Sequence, residues 1–185
     1  MARSIWGDFP PVTIKQPAAR IDPKRPTAQI SQVLAEVGEN AIALNSFEME
    51  KRRMKPLFKG FNPEQITPKE LGRAGMILFK AGFIDNHTAE IMSRAGNEFD
   101  SKGKVLNPDQ EINALEFFAS RIVDMKEKSD SGDPYAKILV PDYIRAIHII
   151  QNLQAFAESG DSYDMLKIKA LEKQGLKTKE PTFKG

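Results

Sequence analysis

Proline removes a backbone donor and clashes with the preceding helical turn, so the positions of the twelve prolines divide this chain of 185 residues before any other pattern is considered. Five of them, Pro10, Pro11, Pro17, Pro23 and Pro26, crowd residues 1 to 26. That density excludes a regular helix and predicts an extended, disordered N-terminal arm. The chain's single tryptophan, Trp6, lies in this arm together with Phe9. A large aromatic on a disordered arm suits an anchor for a partner protein, the other reading being that it folds back on its own chain.

The remaining prolines punctuate helical periodicity. Thr27 is placed to cap a helix in which Ile30, Val33, Leu34, Val37, Ala41 and Leu44 repeat at three- and four-residue spacing. The pattern predicts one long helix to about Met54, stopped at Lys55 by Pro56. Asn62-Pro63-Glu64-Gln65 and Thr67-Pro68-Lys69-Glu70 each combine a capping residue, proline at the first helical position and Gln or Glu at the third. The first predicts a short turn and the second a helix to about Ala81, ended by Gly82. Asp85 or Asn86 caps a following helix that stops at Gly96. A third box, Asn107-Pro108-Asp109-Gln110, predicts the start of a helix carrying Ile112, Leu115, Phe118, Ile122 and Met125. Residues 129 to 134 read as a loop, 135 to 140 as a helical turn or extended piece, and Pro141-Asp142 as the opening of a helix ending near Gly160. A last amphipathic segment runs from Ser162 to Gln174. The boxes at 62 and 107 lie 45 residues apart, but the sequences that follow them do not match, so no repeat is read.

These elements predict an all-α fold: a single compact bundle of about five to six helices over residues 27–175, joined by short Pro/Gly-marked loops, with a disordered arm before it and a flexible tail at 176–185. A hydrophobic fraction of 41% is enough for a core of this size without staples. Zero cysteines exclude disulfides, thiol nucleophiles and thiolate metal sites, and fit a cytoplasmic, reducing setting. There is no apolar h-region at the N-terminus and no stretch of eighteen uncharged apolar residues, so neither a Sec-type signal nor a membrane span is read; export by a signal without hydropathy stays open.

The net charge of +2 is unevenly placed. Bases concentrate in the arm, in the tail and in residues 50 to 59, which hold five bases against one Glu, while residues 60 to 166 are net acidic. The run Lys51, Arg52, Arg53, Lys55 and Lys59, interleaved with Phe58 and Phe61, is the sequence's candidate nucleic-acid surface. Its competing explanation is a helix C-terminus stabilised by bases, with the two phenylalanines as core plugs. A helix-turn-helix reading of the segment around Gly82 is poor, because a recognition helix carrying Asp85, His87, Glu90 and Arg94 faces phosphates badly.

Residues 100–111 begin with Asp and end with Glu like a calcium loop. Lys102 and Lys104 occupy positions that need oxygen donors, and Gly103 stands two places early. His87 and His148 are the only histidines, and neither belongs to a zinc motif. No phosphate-binding glycine loop is present. No catalytic, metal or cofactor residue is therefore assigned, and an enzyme is expected only if its site assembles in three dimensions. Met49, Met54, Met76, Met92 and Met125 fall near apolar faces, suited to the core or to adaptable binding surfaces. The leading expectation is a non-enzymatic protein-interaction protein of adaptor, chaperone-like or regulatory kind, acting through a helical surface and the arm with Trp6 and Phe9. Nucleic-acid binding through residues 51–61 is the alternative.

Overall fold

The computed structural model describes residues 28–96 and 109–175. Trp6 and Phe9, the tail, most of the calcium-like loop and the Asn107-Pro108 pair of the third box lie outside the described residues. Within them are seven α-helices: α1 (Ala28–Val37), α2 (Ser46–Lys51), α3 (Pro68–Lys80), α4 (Asn86–Arg94), α5 (Ala114–Asp130), α6 (Pro134–Glu158) and α7 (Tyr163–Lys173). A 3-10 turn spans Lys55–Phe58. The expected all-α class is observed.

Two antiparallel hairpins form the frame. α3 lies on α4, with Gly72 against Ser93 and Gly75 against Met92. α5 lies on α6, and α1 packs across α5. α6 also reaches α4, α2 and the 3-10 turn, which makes it the central element. Phe58, Phe61, Met49, Met54, Ile77, Met92, Phe118, Ile122 and Ile147 are all enclosed. Burial of this kind contributes about 1.5–3 kcal/mol for each large side chain and supplies the main stabilising force.

The capping signals around α3 and α4 act as read. Thr67 Oγ1 accepts from Glu70 N at 3.2 Å while Glu70 Oε2 accepts from Thr67 N at 3.4 Å, a reciprocal box. Asp85 Oδ1 accepts from Thr88 N at 2.7 Å. Asn62 Oδ1 accepts from Glu64 N at 3.0 Å and closes the expected short turn.

Three expected boundaries are corrected. The long helix from 27 to 54 is two helices. Gly38 takes φ +60°, a conformation that costs a side-chain-bearing residue, and donates back to Leu34 O at 3.1 Å. The chain then turns, burying Leu44, and Asn45 Oδ1 starts α2 by accepting from Glu48 N at 3.0 Å. α6 holds the break: His148 Nε2 lies 3.1 Å from Val37 O and Asn152 Nδ2 donates to Asn40 O at 2.8 Å. The carbonyl partner is met by a proton on His148 Nε2, and the half-buried ring thereby braces the break.

The helix expected from Pro108 begins instead at Ala114, capped by Asn113 Oδ1 on Glu116 N at 3.1 Å. Ile112 is taken out of the helix by an antiparallel bridge to Ile66, with bonds of 2.9 and 3.1 Å, and Ala114 N donates to Pro63 O at 2.7 Å. These bonds bind the backbone before α5 to a distant segment, and sequence spacing carries no trace of that.

Pro141 does not open α6; it lies inside it. Asp133 caps the helix and Pro134 stands at its first turn, so the expected loop shrinks to residues 131–133. The donor that Pro141 lacks would have served Lys137 O. Both residues are exposed, so water can take that carbonyl and the helix runs through.

Candidate functional site

Four of the five bases of the run are drawn into contacts within the fold. Arg52 pairs with Glu48 at 3.0 Å, donates to Ala81 O at 3.1 Å and covers the Phe83 ring at 5.1 Å, tying the end of α2 to the end of α3. Arg53, at φ +57° just past the end of α2, pairs with Glu172 of α7. Lys51 stands 5.0 Å over the Phe47 ring, and Lys59 is exposed. Phe58 and Phe61 are enclosed in the core, so neither offers a face on which a base can stack.

Lys55 closes the C-terminus of α6. Its ammonium donates to Ser159 O and Ser159 Oγ, both at 3.0 Å, and to Gly160 O, and it lies 5.4 Å from the Phe156 ring centroid. Carbonyls at a helix end have no intrahelical donors, and a cation there also meets the negative end of the helix dipole. Glu50 completes the arrangement by accepting from Ser162 N at 2.7 Å, the residue that caps α7, while lying 3.8 Å from Lys55. One Glu–Lys pair thus joins α2, the end of α6 and the start of α7.

This junction floors a groove of about 450 Å³. Ala41, Phe47, Ala155 and Phe156 give its apolar lining, and Glu50, Lys55, Asn152, Ser159 and Ser162 its polar side. Three exposed apolar side chains belong to this stretch of chain. Ile42 and Tyr163, chain neighbours of the lining residues Ala41 and Ser162, are 90% and 80% exposed, and Phe47 is 56% exposed. Ile42 and Phe47 escaped the sequence reading because both lay in the supposed long helix. Gly38, Asn40 and Asn45, taken together, were the signal that separates them from it.

A second cleft of about 400 Å³ opens between α4, α5 and α6. Ile91, Phe117, Phe118 and Tyr143 line it, with His87, Glu90, Arg94 and Arg121 at its edge. Its polar groups are already partnered: Arg94 with Glu90 at 2.8 Å, Arg121 with Asp124 at 3.2 Å, and His87 Nε2 with Asp142 Oδ2 at 3.1 Å. Its lining has no serine or threonine that His87 could activate. In the groove, likewise, the polar groups bond to one another and brace the helices. Among the described residues no cluster of three or more His, Asp or Glu is placed to hold a metal, and no helix is long and apolar enough to cross a membrane.

Fold and surface define a class: an all-α body with an apolar-edged groove where three helices meet. Comparison of the chain with known protein families, curated proteins and solved structures finds no match.

Proposed function

We propose that this protein acts by binding another protein, as an adaptor, chaperone-like or regulatory component working in the cytoplasm. The groove between α2, α6 and α7 receives an apolar side chain of the partner, and the arm carrying Trp6 and Phe9 supplies further anchors. The observation that carries this reading is Phe47, more than half exposed, on the apolar wall of the groove, with the exposed Ile42 and Tyr163 next in the chain to its lining residues Ala41 and Ser162. Exposed apolar residues scattered singly are ordinary; one that lines a groove marks an interaction surface. The polar side of the groove supports the same reading, since Lys55 and Glu50 are spent on holding the three helices in place and leave a rigid, pre-formed recess.

The test is capture of a partner from the source cell by the intact chain, by a chain lacking residues 1–26, and by Phe47→Ser/Tyr163→Ser. Loss of an interface anchor costs about 2 kcal/mol or more, roughly thirtyfold in affinity, so the double variant should release the partner while keeping its melting temperature. Undiminished capture by both altered chains, or turnover of a small substrate in either cleft, sinks the reading.

A further inference from the structure

The groove between α2, α6 and α7 stands within reach of a segment of this same chain. Phe47 is 56% exposed on its apolar wall although Lys51 stands 5.0 Å over the ring, and Phe156 shares that wall. The recess holds about 450 Å³, within the range of about 300–1,000 Å³ of sites that seat one small organic group. Two aromatic side chains of the arm, Trp6 and Phe9, match such a wall, because each carries a large apolar area with only two side-chain torsions to fix. Pro10 and Pro11 follow Phe9 directly and restrict the free chain, so less conformational freedom is lost when it docks. Chain length permits the contact. α1, of ten residues, is about 15 Å long, and the chain from Val37 to Ala41 on the groove wall adds at most about 14 Å, so Ala28 lies within about 30 Å of the recess. The nineteen positions from Phe9 to Ala28 span about 24 Å as a coil and about 59 Å as continuous polyproline helix, which brackets that distance.

We propose that the arm closes the groove of its own chain, with Trp6 and Phe9 on the wall made by Phe47, Ala155 and Phe156, until a partner's apolar side chain displaces them. The inference rests on the protein-binding reading and adds regulation of the same site. A linker whose reach matches the span holds its ends at an effective concentration of about 1 mM, so a contact with a Kd of only about 0.1 mM in trans is about nine-tenths occupied in cis. The arm is then a built-in competitor that weakens an incoming partner's apparent affinity about tenfold. Its displaced aromatics become available as the further anchors of the complex. The contact is apolar on both sides, so it does not depend on how the charges around it are paired. The tail brings one aromatic, Phe183, against the arm's two, and is the weaker occupant.

Trp6 is the only tryptophan of the chain, so its emission reports this contact alone. In the full chain its emission should lie to the blue of that of a synthetic peptide of residues 1–14, and acrylamide should quench it at least about threefold less, whatever the protein concentration. Phe47→Ser, and separately Ala155→Lys at an exposed position of the wall, should return both readings to those of the peptide with unchanged melting temperatures. The same peptide, labelled, should bind the Trp6→Ala/Phe9→Ala chain about tenfold more tightly than the intact chain, because the groove is vacated. A Trp6 as exposed in the full chain as in the peptide overturns the proposal. So does protection that survives both wall variants, which would seat the arm elsewhere, or that grows with protein concentration, which would seat it on a second copy. Partner capture separates the two proposals. If Phe47→Ser/Tyr163→Ser loses the partner while Trp6 is exposed in the intact chain, closure by the arm is excluded and the protein-binding reading stands.

Discussion

α3 and α4 approach each other through glycines, whereas α5 and α6 meet through large side chains. A Cβ at Gly72 would lie 3.2 Å from Ser93 Cα, and one at Gly75 would lie 3.1 Å from Met92 Cβ, so the first pair packs almost backbone to backbone. In the second pair the enclosed Phe118 ring stands 5.4 Å from Phe117 and 6.1 Å from Tyr143. The difference extends to how the helices begin and end. The first pair obeys its local signals: the Thr67–Glu70 box opens α3 and Asp85 opens α4. The second pair overrides them, since Ile112 is drawn into a bridge with Ile66 and Pro141 sits within α6. Where an interface is made of backbone and small residues, short-range chemistry suffices to place it. Where it is made of large side chains, packing gains of several kcal/mol outweigh a cap or a helix breaker.

The comparison can be broken most forcefully at Phe118. Phe118→Ala should cost about 3–5 kcal/mol in urea unfolding, because a buried ring leaves a cavity that its neighbours only partly fill. A loss below about 1 kcal/mol would show that α5 and α6 are not held as described. The opposite change tests the glycine interface: Gly75→Val should destabilise by about 2 kcal/mol through overpacking against Met92 and Ala89. If it is tolerated, the closeness of α3 and α4 is not essential.

Pro141→Ala sharpens the contrast from the other side. Restoring a donor for Lys137 O should raise stability by about 1–2 kcal/mol, the helical gain less the lost restriction of the unfolded chain. A fall in stability would instead make Pro141 part of the α5 contact.

The smallest expected effect lies at the cap of α4. The Thr88 backbone N–H, then the Thr88 side chain, hold the Asp85 carboxyl below the usual value of 3.8, burial opposing them and Arg145 and His87 adding to the lowering. A depressed carboxylate stabilises the fold above its unfolded-state value, and that contribution is lost as pH falls through the folded-state value. Asp85→Ala should therefore cost about 1 kcal/mol at neutral pH, and its deficit should close as pH drops below 3.8. A deficit that persists at low pH would assign the loss to packing rather than to the cap.

Legibility in the sequence followed the range of the forces. The all-α class, α3 and α4 with their caps, the span of α7, and the core positions of Phe58 and Phe61 were all readable, because helical periodicity and capping act within four residues. The groove was not. Of its components, Lys55 read as one base in a charged run, and only the arrival of Ser159 and Gly160 from the end of α6 gives it a place. Ile42 read as part of a helix until Asn152 and His148 of α6 were seen to hold the break that exposes it. The grooves and crests of a helical surface depend on which helix ends converge.

By itself, then, the sequence determined that this chain makes helices, where several of them start, and which residues are apolar enough to be enclosed. Tertiary structure alone decided that the basic run would be divided among α3, α6 and α7, that α1 and α2 would be separate, and that Phe47 would share one recess with Ala155 and Phe156. The physical reason is range: caps and periodicity are set by neighbours along the chain, while a surface is set by partners about a hundred residues away, as Lys55 and Ser159 are.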